Sequence, residues 1–232
     1  MNTGRKTILL IVGILATLTV GCWLGKTYFS HSYIQEYMYY NSIGVRRSLE
    51  NTQYLDLYIE PTYRVNFLSE GKDKIEFDNI CNTNKDTGYD RDVNLPLDRP
   101  TISTEYPHFA QINVYSDKDF NAEHPAGTPL NDVMAVIYRS AQEYIESGYT
   151  ADSTLYTQIV KPLNELSQDD LKLNLRNTFL TFTEAPDVIS THTLTFECIN
   201  AIGERFTTTY NYDFSLKQGQ VEPDTTIIWE RY

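Results

Sequence analysis

Cysteine, proline, glycine and tryptophan are all scarce in this chain, and each shortage removes a class of protein. Three cysteines cannot frame a disulfide-stapled scaffold. Nine prolines and eleven glycines are too few for a collagen-like or low-complexity disordered chain. Positive charge is short as well: 19 Lys and Arg stand against 31 Asp and Glu, for a net charge of −12. A surface this acidic does not gather a polyphosphate backbone, so nucleic acid is not an expected partner. HExxH, GxSxG, GxGxxG and paired CxxC are absent, as is any internal repeat. His31, His108, His124 and His192 lie far apart, with no metal-ligand spacing, and His192 is expected at a surface or sheet edge. Asp169 and Asp170 are neighbours, so on a strand they would point to opposite faces and form no dyad. No catalytic residue is expected from these absences.

What is present is 232 residues of ordinary globular composition, 41 % hydrophobic, enough for one medium domain or two small ones. Residues 1–25 read MNTGRKTILLIVGILATLTVGCWLG: Arg5 and Lys6, then an uncharged stretch from Thr7 to Gly25. This is the pattern of a signal peptide or membrane anchor, and the positive-inside rule places everything after Lys26 across the membrane. Three fates are open. LTVGC resembles a bacterial lipobox that would place a lipid on Cys22, although Thr19 replaces the usual aliphatic residue and Trp23 and Leu24 prolong the apolar run. An uncleaved anchor fits too, because 19 residues span about 28 Å as a helix. Ordinary cleavage after small residues is the third. Every fate puts the body outside the cytoplasm, periplasmic or at the cell surface, with the membrane contacted through the N-terminus. Removal of residues 1–21 takes away Arg5 and Lys6 and no acid, leaving a body of −14.

Along the body, 26–53 is a Tyr-rich leading segment, helix or strand, in which Tyr33, Tyr37 and Tyr40 would share a helical face. Residues 54–232 read as a β-rich extracytoplasmic domain. YLDLYIE and TYRVNFL alternate about Pro61, which separates the two runs as a turn or an edge would. DKIEFDNIC continues the same period through Ile75, Phe77 and Cys81, and FAQINVYS is the next strand. One amphipathic helix is expected from Thr128 as N-cap to Gly148 as stop, with a shorter helical stretch near 156–166. DLKLNLR and TFLTF read as strands, and THTLTFECI and ERFTTTYNYDF as a hairpin across NAIG. The expected fold is mainly β (α+β): a sandwich-like antiparallel body with one capping helix, preceded by the N-terminal signal or anchor helix.

Few residues suggest chemistry. Asn82, Asn84, Asp86, Asp90 and Asp92 supply oxygen ligands of the kind calcium prefers, yet positions six and twelve of an EF-hand are Thr87 and Val93 here. A plain polar loop is the competing reading. Cys81 and Cys198 either pair in the oxidising compartment or are two separate buried thiols. Eighteen tyrosines suit glycan or protein recognition, and equally suit strands.

INVYSDKDFNAEHPAGTPLNDVM, an acidic Glu-Ala-Pro loop and THTLTFECINAIGERFTTTY together resemble a family of uncharacterised lipoproteins of the Bacteroidota, over residues 109–216. The resemblance implies an exported, lipid-anchored, β-rich domain and assigns no reaction to any residue. Asp152-Ser153-Thr154 and Asp224-Thr225-Thr226 also resemble O-glycan acceptors of exported proteins in that group, at Ser153 and Thr225. The function expected is a non-enzymatic binding or surface-assembly module with a protein or glycan partner. An exported enzyme with a non-local site and a glycan-binding accessory protein are the alternatives.

Overall fold

A computed structural model describes residues 26–49, 51–95, 102–151, 155, 157–175 and 178–216. In chain order the strands begin with β1 (Lys26–Ser30), β2 (Glu36–Arg47), β3 (Leu55–Asn66), β4 (Arg91–Leu95), β5 (Ser103–Glu105) and β6 (Phe109–Ser116). They continue with β7 (Met134–Tyr138), β8 (Ile159–Pro162), β9 (Thr178–Phe182), β10 (Thr191–Asn200) and β11 (Arg205–Asp213). Among the described residues the α-helices are α1 (Gly71–Thr83) and α2 (Gln142–Glu146). Every described pairing is antiparallel, and the chain is mainly β. It divides into two compact units, one drawn from residues up to 36 and 66–102, the other from 37–65 and 103 onward.

In the first unit β1 pairs with β4, Ser30 opposite Arg91. The expected strand through DKIEFDNIC is helix α1 instead, which buries Phe77, Ile80 and Cys81 and leaves Ile75 63 % exposed. Spacings of three and four between the buried residues match one helical face, and this wins over the short alternation from Ile75 to Phe77. The helix stops in a Schellman motif. Lys85 adopts φ 58°, its N–H bonds the Asn82 carbonyl, and the Asp86 N–H bonds that of Cys81. Asp86 is thereby turned inward, fully buried, where its two carboxylate oxygens accept the N–H groups of Tyr33 and Ile34 at 2.8 Å each.

The second unit is a sandwich of a six-stranded sheet, β5-β2-β3-β9-β7-β8, and a three-stranded sheet, β11-β10-β6. The β10–β11 hairpin runs in unbroken register from Thr191 opposite Asp213 to Ile199 opposite Arg205. Alternation assigns the faces: His192, Leu194, Phe196, Cys198 and Asn200 are buried, and the residues between them are not. Leu194 and Phe196 share one core with Leu55, Leu57, Val136 and Leu180 of the larger sheet. At roughly 25 cal/mol per Å² of apolar area, this shared core is what holds the two layers together.

Several expected elements are replaced. The helix from Thr128 to Gly148 is a 3-10 turn at Asn131–Val133, the strand β7, and only then α2. The stripe Leu130, Val133, Met134, Ile137, Ala141, Tyr144 and Ile145 is buried as expected. But MAVIY is buried at all five positions, the signature of a strand covered on both faces, and periodicity cannot separate that from a helix. Gly148 does end a helix, at φ 68° in a second Schellman motif. Pro61 does not break β3, because β9 pairs only with Leu55–Leu57 and the missing N–H faces no partner there. The stretch near 156–166 contains β8 and a 3-10 turn at Leu163–Glu165, and Asp170–Leu173 is a turn rather than a strand. The Tyr-rich segment supplies β1 and β2; Tyr37 and Tyr39 both meet Tyr106, while Tyr40 points the other way to Phe109.

Candidate functional site

The residues singled out for chemistry do not gather. Cys22, Ser153, Thr225 and the expected anchor at residues 1–25 lie outside the described residues. Among the described residues no helix is long and apolar enough to cross a membrane. Of the suggested calcium ligands, Asn82 is in α1, Asn84 caps it and Asp86 is occupied by backbone N–H groups. Asp90 bonds His31 Nδ1 at 2.6 Å, and Asp92 is on β4. No group of three or more His, Cys, Asp or Glu suited to a metal occurs among the described residues. Cys81 and Cys198 are buried thiols, and no disulfide joins them. Burial pushes the Cys198 thiol well above its ordinary range, so it is unreactive in the fold.

His192 corrects its expected place. It is 1 % exposed on the inner face of β10, its Nδ1 2.8 Å from Ser116 Oγ, and its ring lies against Phe214 at 5.0 Å. Burial and the Lys118 charge hold it below the usual histidine range, in the neutral form. Around it Phe120, Phe182, Tyr212 and Phe214 pack mostly edge to face, and the Arg47 guanidinium sits 4.4 Å from the centre of the Tyr212 ring. Arg47 is itself tied to the carbonyls of Thr52 and Asp213. Phe120 is fully buried, while Phe182, Tyr212 and Phe214 with Arg47 also line a groove of about 410 Å³.

Glu105 is the one strongly perturbed carboxyl among the described residues. It is 9 % exposed at the end of β5, among Met38, Leu57, Phe109, Asn174 and Thr178, beside a cavity of about 120 Å³. Asn174 Nδ2 donates to Thr178 Oγ1 at 3.1 Å and reaches Glu105 Oε1 at 3.5 Å. Burial pushes the carboxyl up to about 7, against lowering bonds from its own N–H and from Asn174. The space is well below the pockets of about 300 Å³ or more that hold ligands. No histidine, cysteine or second acid lines it. Glu105 is therefore a proton-binding group of the core.

The larger feature is a groove of about 500 Å³ beside β6, one of the two edge strands of the small sheet. Its polar lining is entirely amide: Gln111, Asn113, Asn131, Asn164, Gln168 and Asn200. Leu166 and Ile199 supply apolar surface over the buried Leu163 and Ile112; no ionisable side chain lines the groove itself, and Asn113 and Asn200 donate to the carboxylates of Glu197 and Glu204 at 3.1 and 2.9 Å. The edge of β6 is covered from Ser116 to the Ile112 carbonyl. Gly127 N–H bonds the Ser116 carbonyl, Pro129 bridges Tyr115, and Leu130 N–H bonds the Val114 carbonyl at 2.8 Å. There the chain turns away, and the Asn131 side chain takes its place. Oδ1 accepts the Val114 N–H at 3.2 Å and Nδ2 donates to the Ile112 carbonyl at 2.8 Å. By the alternation of an antiparallel ladder the Ile112 N–H points the same way, and at Ala110 a β-bulge opposite Ile199 and Asn200 interrupts that alternation.

Neither Glu105 nor the groove stands out in the sequence. Glu105 is one acid in STE, and the six amides are spread from 111 to 200. The only local signal is the alternation Gln111-Ile112-Asn113-Val114, which places two amides on one side of a strand. No family model, curated protein or solved structure matches this chain.

Proposed function

We propose that this chain is an exported, membrane-anchored, non-enzymatic binding or surface-assembly module of the cell envelope, tethered by a lipid on Cys22. Its body lies outside the cytoplasm and engages a partner through the groove beside β6. The groove carries the reading: about 500 Å³ lined by amide and apolar side chains, with the nearby Glu197 and Glu204 carboxylates engaged by lining amides, is equipped for contact and not for proton transfer. The N-terminal signal pattern supports the compartment. The test is a pull-down of full-length, detergent-solubilised protein from its native membrane, beside Gln168→Arg. Gln168 is exposed at the groove, so an arginine there adds bulk and charge without touching the core. A partner retained by the wild type and lost by the variant is expected. Equal recovery by both proteins would remove the groove from the function.

A further inference from the structure

We propose that a second groove, at one end of the sandwich, binds an uncharged sugar: a neutral glycan held by its hydroxyl groups and by the apolar face of a pyranose ring. This groove shares no residue with the one beside β6, and neither reading rests on the other.

Three observations carry it. First, the groove is built by the ends of both sheets. Thr52 and Gln53 come from the turn between β2 and β3, Phe182 and Thr183 from the end of β9, and Tyr212 and Phe214 from the end of β11. Its volume of about 410 Å³ lies in the range of about 300–1,000 Å³ usual for small-ligand sites. Arg47 ties these pieces together. Its guanidinium bonds the Thr52 carbonyl at 2.6 Å and the Asp213 carbonyl at 3.3 Å, one beside each sheet, and lies over the Tyr212 ring. A groove braced in this way is formed before the ligand arrives, which spares the cost of ordering it on binding.

Second, the polar side chains of the lining divide into two sets. Arg47 and Thr181 are engaged within the fold, Thr181 Oγ1 donating to the Gln53 carbonyl at 3.3 Å. The Gln53 carboxamide, the Thr183 hydroxyl and the Glu184 carboxylate line the groove with no hydrogen-bond or ion-pair partner among the described residues. The groove beside β6 differs in this respect, because Asn113, Asn131 and Asn200 are already paired there. Third, Phe182 and Phe214 are only partly buried where they line the groove. Phe182 rests on the fully buried Phe120 ring, 5.5 Å away and nearly parallel. Aromatic carbon is thus presented beside unpaired polar groups, on rings that the core holds in place.

The chemistry of the occupant follows. A carboxamide and a hydroxyl each donate and accept, whereas a carboxylate only accepts. A ligand that satisfies all three carries several O–H groups together with an apolar C–H face, and a pyranose does both. Glu184 repels an anion. The Arg47 guanidinium repels a cation, and it is already engaged by two carbonyls and a ring. The ligand is therefore uncharged.

The experiment incubates the full-length protein, in phosphatidylcholine nanodiscs, with an array of neutral, carboxylated and amine-bearing glycans, empty nanodiscs serving as control. A random peptide library is panned in parallel. Neutral glycans are expected to bind, and those retained are titrated calorimetrically against variants. Glu184→Ala and Thr183→Val remove side-chain groups that bond nothing described in the fold, so both should keep the wild-type thermal midpoint. Each should weaken binding about tenfold. Phe214→Leu keeps apolar bulk without the ring and should weaken it too, while Gln168→Arg should leave the affinity unchanged. Retention of no glycan, or of charged glycans alone, would overturn the proposal. So would an affinity that survives both Glu184→Ala and Thr183→Val, or peptides that bind in place of glycans and are lost in those two variants. A glycan lost by Gln168→Arg and kept by both of them would belong to the groove beside β6 and would likewise remove this site.

Discussion

Burial of Glu105 couples this fold to protons. Its carboxyl, 4.5 in the unfolded reference and about 7 in the fold, holds a proton over that interval only when folded. Stability from this group is therefore complete below pH 4.5 and falls as pH rises through 7, by on the order of 3 kcal/mol. Glu105→Gln keeps an uncharged polar group in the same space. Urea midpoints measured from pH 4.5 to 8 should decline for the wild type and lose that component in the variant; parallel curves would refute the assignment. His108 and His192 act in the opposite sense. Burial depresses both below the ordinary 6.5, so acidification through and below that value removes stability as the unfolded chain takes up protons first. The cysteines give a second residue-scale prediction. Cys198 should resist alkylation in the native protein, and the unreduced protein, once unfolded, should yield two body thiols. Recovery of none would mean that Cys81 and Cys198 pair after all.

At the scale of elements, short-range signals and long-range burial disagree in an instructive way. Turn and cap residues acted where local chemistry suffices: Gly148 ends a helix and Gly203, at φ 86°, turns the β10–β11 hairpin as the NAIG signal predicts. Nothing lies within 4 Å of a side chain added at Gly148. Gly148→Ala should thus cost only the left-handed backbone penalty, about 1–2 kcal/mol, seen as a lower thermal midpoint with α2 still present. A larger loss would point to a packing role that the geometry does not show. Apolar period misled where burial was two-sided. Val136 and Ile137 pair with β9 and with β8 while every residue of β7 is covered, so the spacing of apolar residues carries no information about helix or strand. Around α1 the error ran the other way, because two alternating residues, Ile75 and Phe77, were weaker testimony than Phe77, Ile80 and Cys81 on one helical face.

For the whole molecule, the proposed tether makes a direct prediction. Cys22→Ala should abolish fatty-acid labelling and release the protein from the membrane fraction; retention without labelling would assign the anchor to an uncleaved helix. The mainly-β antiparallel class was legible in the sequence because FAQINVYS, TFLTF and the 191–213 hairpin alternate over a half-buried surface, and period two is a local property. Net charge needed no fold at all. The tertiary structure alone decided which strand edges are open, which polar residues are buried, and what faces the groove. Asp86 reads as a calcium ligand until two backbone N–H groups 52 and 53 residues away occupy it, and His192 reads as surface until the register of β10 turns it inward. The amides of the groove come from β6, the turn after Leu130, the 163–168 segment and the end of β10. Their convergence depends on contacts between residues up to about ninety positions apart, which no local pattern encodes because the chain can bring such residues together only after the core has chosen its register.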